Sequence, residues 1–315
     1  MTSRRGKPSD MNGDLPESLS THDMEDAAAR LEATGNYRVL RRLSLAARLV
    51  RDEGLRLRTG MFLDVETTGL NPKGSEIIEL AIKPFDYDTK GRIVAVGAAL
   101  HQFNEPADPI PSEITAITGL TDEVVAGHVL DVGAIEAFVS RADIILAHNA
   151  AFDRPFAEQL SPIFAAKAWG CTMCDVPWKD EGIEGRRLGD LLGGFHYFFD
   201  AHRAVDDCEA GIALLTMKLP RSGVRVLQRL LEVARRPTWR IFAEDAPFDV
   251  KDVLKGRGYK WNPEPSNGPK SWWKDVDASA IEGEGAYLRS EIFKREVNLP
   301  VFEITAFQRY SIRPR

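Results

Sequence analysis

Cysteine is scarce in this chain: Cys171, Cys174 and Cys208 are the three in 315 residues. So sparse a set excludes a disulfide framework and suits a reducing compartment. Cys171 and Cys174 form a CxxC, but no second closely spaced pair completes a zinc site and no thioredoxin-like context surrounds it. All three therefore read as packed thiols. Long apolar runs are absent too, and none approaches the roughly 18 residues that a membrane-spanning helix requires. The opening MTSRRGKPSDMNGDLPESLSTHD lacks the apolar core of a secretion signal, so the cytoplasm is the expected location. Nor is there an excess of positive charge. The 41 Lys and Arg against 47 Asp and Glu leave a net charge of −6, unlike a general polyanion binder. One stretch departs from that average: Arg38, Arg41, Arg42, Arg48, Arg51, Arg56 and Arg58 face only Asp52 and Glu53. It reads as the solvated face of a helix, with phosphate contact as the alternative.

What is present suggests a segmented chain. Residues 1–22 are rich in Ser, Pro, Gly and charge and are expected to be disordered. Residues 23–58 read as a helical extension, interrupted near Thr34–Asn36. Residues 59–220 alternate strands and helices. GMFLDVETT is a first strand, residues 76–88 and 91–103 a hairpin, and residues 143–149 and 169–173 further strands. Helices are expected over 111–118, 132–139, from an Asn149 cap to Leu160, over 188–192 and over 204–218. A linking helix spans 221–236. Residues 237–315, with four of the six tryptophans, read as a small α+β domain in the order strand, helix, hairpin, helix, strand. Its aromatics are expected to fill a small core, with stacking on unpaired bases beside Lys260, Lys270 and Lys274 as the alternative. The expected class is α/β: a mixed five-stranded sheet flanked by helices, plus that α+β domain.

The chemistry concentrates in MFLDVETTGL, residues 61–70. Asp64 and Glu66 stand two apart in an apolar strand, so their side chains leave the same face. Burying two neighbouring carboxylates is costly, and a divalent cation removes both desolvation and repulsion. Two further stretches supply partners. HNAAFD (148–153) puts Asp153 in a helix's first turn, and HRAVDD (202–207) opens a helix with His202 and Asp207 bordering its apolar stripe. Taken singly, each of these acids reads as a surface or capping residue.

Together the three stretches resemble the motifs of the DEDDh (DnaQ-like) 3′–5′ exonucleases: D-x-E-T-T-G at 64–69, H-N-x-x-F-D at 148–153 and H-x4-D at 202–207. The resemblance covers roughly residues 60–218 and fixes the third acid as Asp207 rather than Asp206. It implies a ribonuclease H-like core and two Mg²⁺ or Mn²⁺ ions held by Asp64, Glu66, Asp153 and Asp207. One ion would polarise the attacking water and the other would stabilise the leaving 3′-oxygen. His202 would be the general base. Thr67, Thr68, Gly69, Leu70, His148, Asn149 and Phe152 would contact the terminal nucleotide. The expected activity is release of nucleoside 5′-monophosphates from a nucleic-acid 3′ end, DNA in a proofreading or repair setting, with a polymerase or repair partner. The alternatives are an exoribonuclease of RNA processing and a binding subunit with a vestigial site.

Overall fold

The computed structural model describes residues 20–45, 56–263 and 269–312. Most of the expected disordered tail, and Arg48 and Arg51, lie outside them.

The described residues 20–41 belong to a unit of their own. Its helix α1 (Thr21–Ala33) starts at a capping box: the Asp23 N–H donates to the Ser20 hydroxyl, and the Ser20 N–H donates to the Asp23 carboxylate. Gly35, at φ 71°, turns the chain after the helix. Arg41 forks onto Glu25 at 2.8 and 2.9 Å, so this arginine of the basic stretch is committed within the protein. No second helix follows over 37–45. Leu43 and Leu45, two apart, both pack on the core of the second unit, which is strand-like rather than helical spacing.

In residues 42–315 the first sheet is built on β1 (Arg58–Thr67) and β2 (Ile77–Tyr87). It continues with β3 (Ile93–Val96), β4 (Leu100–Phe103), β5 (Ile144–Ala147) and β6 (Trp169–Cys171). The order is β3-β2-β1-β5-β6, with β4 also on β2. β2 runs antiparallel to β1, whereas β5 and β6 extend the sheet in parallel. The sheet thus has six strands rather than five. The expected single strand 91–103 breaks at Gly97–Ala99, opposite Pro84 of β2. A proline has no N–H for the ladder, and the Gly97 N–H bonds the Pro84 carbonyl instead (2.9 Å).

Helices cover both faces: α2 (Ser112–Thr118), α3 (Asp122–Val125), α4 (Val132–Val139), α5 (Ala150–Leu160), α6 (Leu188–Gly194), α7 (Ala204–Thr216) and α8 (Val226–Arg235). Met61, Leu63 and Val65 of β1 pack with Ile135 of α4 and Phe156 of α5. Phe62 packs on the other side with residues of α6, α7 and α8. Being covered on both faces is why β1 reads as a nearly continuous apolar run.

The remaining chain adds a four-stranded antiparallel sheet, ordered β8-β9-β7-β10. In chain order it comprises β7 (Thr238–Ala243), α9 (Lys251–Gly256), β8 (Lys260–Trp261), β9 (Trp272–Val276), α10 (Ile281–Tyr287) and β10 (Val301–Ile304). Trp239 and Trp272 pack on its core around Ile241 and Leu254, and the Arg240 guanidinium lies 3.6 Å from the Trp273 ring centroid. Three of the four rings are thereby occupied in packing, while Trp261 remains 46% exposed. Among the described residues no helix is long and apolar enough to cross a membrane.

The last described segment, 305–312, returns to the first sheet. Arg154 of α5, fully buried, donates to the carbonyls of Ala306 (3.3 Å), Phe307 (2.7 Å) and Arg309 (2.6 Å) and to the Glu158 carboxylate (2.7 Å). A buried guanidinium requires such partners, because an unpaired one would carry the full desolvation penalty.

Candidate active site

The site forms where β1 ends and the first turns of α5 and α7 meet it. Gly211 of α7 lets that helix approach β1 closely: a Cβ there would come within 2.1 Å of the Phe62 ring. One turn earlier, Asp207 is thereby brought to the strand. Oxygens of Asp64, Glu66 and Asp207 lie within 4.8 Å of one another. Asp153, on α5, is outside that triad but adjoins it. It is 3% exposed, and its Oδ1 accepts the Val65 N–H of β1 at 3.3 Å.

Their protonation behaviour shows what the arrangement costs. Burial, then the charges of Asp153, Asp207, Glu66 and Glu79, push the Asp64 carboxyl well above the usual carboxylate range. Burial raises Asp153 to about 8, although the Val65 N–H and its own backbone N–H pull it back. Glu66 is raised to about 7 by burial, then by Asp207 and Glu79, with Arg203 opposing. Asp207 is raised to about 6 by burial, against the backbone N–H groups of His202 and Arg203, which donate to its Oδ2 at 2.8 and 3.2 Å.

The donor set is all carboxylate oxygen, the ligand type of hard divalent ions. The residues present therefore fit such an ion, which would remove both causes of the upward shifts.

His202 is exposed and adopts the left-handed conformation (φ 71°) at the entrance to α7, a strain fixed by its N–H bond to Asp207. Thr67 is buried, its hydroxyl donating to the Gly69 carbonyl (2.7 Å). Thr68 pairs with Glu76 through both its backbone N–H and its hydroxyl (each 2.9 Å). These bonds fix the turn that thrusts Leu70 into solvent, 84% exposed. Phe152 is half-buried and packs against Phe156. Asn149 holds the N-cap position of α5 without a side-chain capping bond, so its amide is exposed.

His148 is brought elsewhere. Its Nδ1 is 2.9 Å from the Thr172 hydroxyl and its Nε2 2.8 Å from the Arg186 carbonyl, so both ring nitrogens join internal bonds. Burial holds its pKa below the usual value, in keeping with a neutral ring that donates from Nε2.

Two features escaped sequence reading. Glu79, fully buried, faces Glu66 in the β1–β2 register and meets His101 Nε2 (2.7 Å), Arg203 (3.4 Å) and the Ala204 N–H (3.3 Å). Its signal was an acid inside the apolar run IIELAI of the neighbouring strand. The second is the exposure of Cys174: all three cysteines of the chain are expected to be packed thiols, and Cys171 and Cys208 are buried, but Cys174 is exposed. A hydrogen bond from Cys171, with help from Arg186 and Lys260, draws the Cys174 thiol to about 7.

A family model described as "Exonuclease", of the RNase T type, matches residues 61–215. DNA polymerase III PolC-type of Mycoplasmopsis pulmonis is 27% identical over 236 residues, covering 69% of this chain and 16% of that protein. The Listeria welshimeri PolC-type polymerase is 33% identical over 174 residues, covering 53% of this chain and 12% of its own length. The chain therefore spans about a sixth or less of these relatives. Among solved structures, exonuclease X in complex with 5′-overhanging duplex DNA superimposes with a TM-score of 0.42 at 23% identity, covering 55% of this chain and 99% of that one. E. coli exonuclease I in complex with a dA16 oligonucleotide gives a TM-score of 0.45 at 18% identity, covering 80% and 64%.

Proposed function

Because residues 61–215 are an exonuclease domain of the DnaQ-like, DEDDh kind, we propose that the protein is a metal-dependent 3′–5′ exonuclease that trims single-stranded DNA ends to nucleoside 5′-monophosphates. The observation that carries this reading is the triad of Asp64, Glu66 and Asp207, with oxygens within 4.8 Å of one another and Asp153 buried beside them. In this reading the four acids hold two Mg²⁺ or Mn²⁺ ions. When bound, the ions supply the positive charge that favours an attacking hydroxide and offsets the charge developing on the leaving 3′-oxygen.

The protein's own groups do the rest. The Val65 N–H orients Asp153, and the start of α7 orients Asp207. His202, exposed beside Asp207, takes the proton from the attacking water. The fixed Thr67–Gly69 turn presents Leu70 to the terminal nucleotide, with Phe152 and Asn149 nearby in the same pocket. His148, whose ring nitrogens are both bonded within the protein to Thr172 and Arg186, makes no ring contact to substrate in this reading. The choice of DNA rests on the relatives' being DNA polymerases.

The test is digestion of 5′-labelled single-stranded DNA and RNA oligonucleotides, side by side, with and without Mg²⁺ or Mn²⁺ and with an Asp64→Ala control. The expected result is a metal-dependent ladder shortening from the 3′ end, faster on DNA, with mononucleotide product. Absence of metal-dependent shortening, or loss of the label as a mononucleotide from the 5′ end, overturns the reading. Preferential cutting of RNA would transfer it to an exoribonuclease.

A further inference from the structure

A cavity of about 350 Å³ is bordered by Leu70, Asn71, Lys73, Asn149, Phe152 and Ile312. Its volume is at the lower end of the roughly 300–1,000 Å³ typical of small-ligand pockets. Five of these residues belong to the segments around the first and second acidic motifs. Ile312 comes from the far end of the chain. Its position is determined by the segment before it, which is bonded to the edge strand β6, to α5, to the end of α8 and to the loop after β6.

The Trp169 N–H of the edge strand β6 donates to the Ala306 carbonyl (2.9 Å). Arg309, buried, donates to the carbonyls of Val233 (3.2 Å) and Arg236 (2.8 Å). The Tyr310 hydroxyl donates to Asp175 (2.5 Å), and the Ser311 hydroxyl to the second Glu158 oxygen (2.7 Å). Arg154, next in sequence to Asp153, takes three carbonyls of the same segment. The helix that carries an active-site acid is thus tied by the following residue to the strap that ends at Ile312. Such anchoring fixes a side chain on a rigid support, as a binding wall requires.

We propose that residues 305–312 are a strap that completes the nucleotide pocket, with Ile312 contacting the base at the 3′ terminus. The inference rests on the nuclease reading for the identity of the ligand. Connectivity places the pocket at the reacting end: Leu70 is four residues after Glu66, and Phe152 immediately precedes Asp153. Its apolar members, Leu70, Phe152 and Ile312, suit the flat face of a base, which stacks on apolar side chains irrespective of sequence. The Asn71 and Asn149 amides and the Lys73 ammonium supply a polar rim for sugar and phosphate. The exonuclease domain is then incomplete as a binding site without residues 305–312, although all of its acids lie between 64 and 207.

The test compares full-length wild type with Ile312→Ala and Ile312→Leu, using single-stranded DNA that ends either in a normal nucleotide or in an abasic one. Loss of a half-buried aliphatic contact corresponds to about a fivefold weaker interaction. Ile312→Ala should raise KM about fivefold on the normal end with kcat within about twofold, and change nothing on the abasic end. Ile312→Leu should retain the wild-type KM. Binding of a fluorescent oligonucleotide to the metal-free proteins, read by anisotropy, should show the same pattern in Kd. An unchanged KM and Kd in Ile312→Ala, or an equal loss on both ends, overturns the role of Ile312. A wild type that binds the oligonucleotide but never shortens it refutes the nuclease reading alone, and Kd then still decides the strap. A wild type that binds no oligonucleotide refutes both.

Discussion

Two regions of this molecule bury acids, and they do so in opposite ways. In the C-terminal region, Glu284 of α10 is 6% exposed and is met by the Arg257 guanidinium (2.9 and 3.1 Å), the Tyr259 hydroxyl (2.9 Å) and Lys274 (3.4 Å). Burial pushes its carboxyl upward, but these partners outweigh burial and hold it below the usual value. At the end of β1, four acids crowd together and all are pushed upward. Arg203 is the one side-chain cation that opposes the shift at Glu66. The fold matches one buried acid fully, yet leaves four others under-compensated. The first is a structural carboxylate neutralised from inside, whereas the second group has the excess of negative charge that the proposed ions would offset.

Exchanging the acids for neutral residues should separate the two regions, and the largest effect is on turnover. Asp64→Asn removes a proposed metal ligand. Since ion binding contributes several kcal/mol to such transition states, metal-dependent activity should fall about a thousandfold or more. The metal-free protein should melt no lower than wild type, because repulsion is relieved. Glu284→Ala should do the reverse. It leaves Arg257, Tyr259 and Lys274 without their shared acceptor, and unfolding should become easier by about 2–4 kcal/mol. Turnover per folded molecule should remain near wild type. Parallel denaturation curves and rates for both variants check this. If Asp64→Asn proved as destabilising as Glu284→Ala, the two kinds of acid would not differ as the structure indicates.

Asp64 and Glu66 were legible as a pair because they stand two apart on a strand, but Asp153, His202 and Asp207 were joined to them only by the resemblance to the DEDDh motifs, which also chose Asp207 over Asp206. The strand that carries the first pair and both helices were legible from periodicity. Glu79 was not, since its relation to Glu66 exists only through the antiparallel register of β1 and β2. The sixth strand was not, because the break at Gly97 follows from Pro84 on a partner strand, not from the broken segment itself. Leu43 and Leu45 suggested a helix because several leucines cluster there, but the core that they join is assembled from distant residues. Ile312 is the extreme case. Nothing in SIRPR points to the first motif, and only tertiary bonds, the three carbonyls held by Arg154 among them, hold the segment that ends at Ile312 beside it.

The comparison also fixes a pH dependence. For Asp207, Glu66 and Asp153 the folded-state values are about 6, 7 and 8, all above the roughly 4 of an unfolded carboxyl. The folded state therefore holds protons that the unfolded state has released. Their contribution to stability is fully present below about pH 4 and is lost as pH rises through 6, 7 and 8. Glu284 has the opposite sign: its contribution is present above the unfolded value and is lost only on acidification. In a chelator, then, the melting temperature should fall between pH 5.5 and 8.5, a range over which the Glu284 contribution is constant. Metal ions and protons compete for the same oxygens, so Mg²⁺ or Mn²⁺ should bind better at the higher pH. At a hundred times its Kd an ion adds about 2.7 kcal/mol, or about 5 °C for a chain of this size. The metal-induced rise in melting temperature should accordingly be greater at pH 8.5 than at pH 5.5, and much smaller in Asp64→Asn at both. A rise independent of pH, or one retained in full by Asp64→Asn, would place the ion somewhere other than among these four acids.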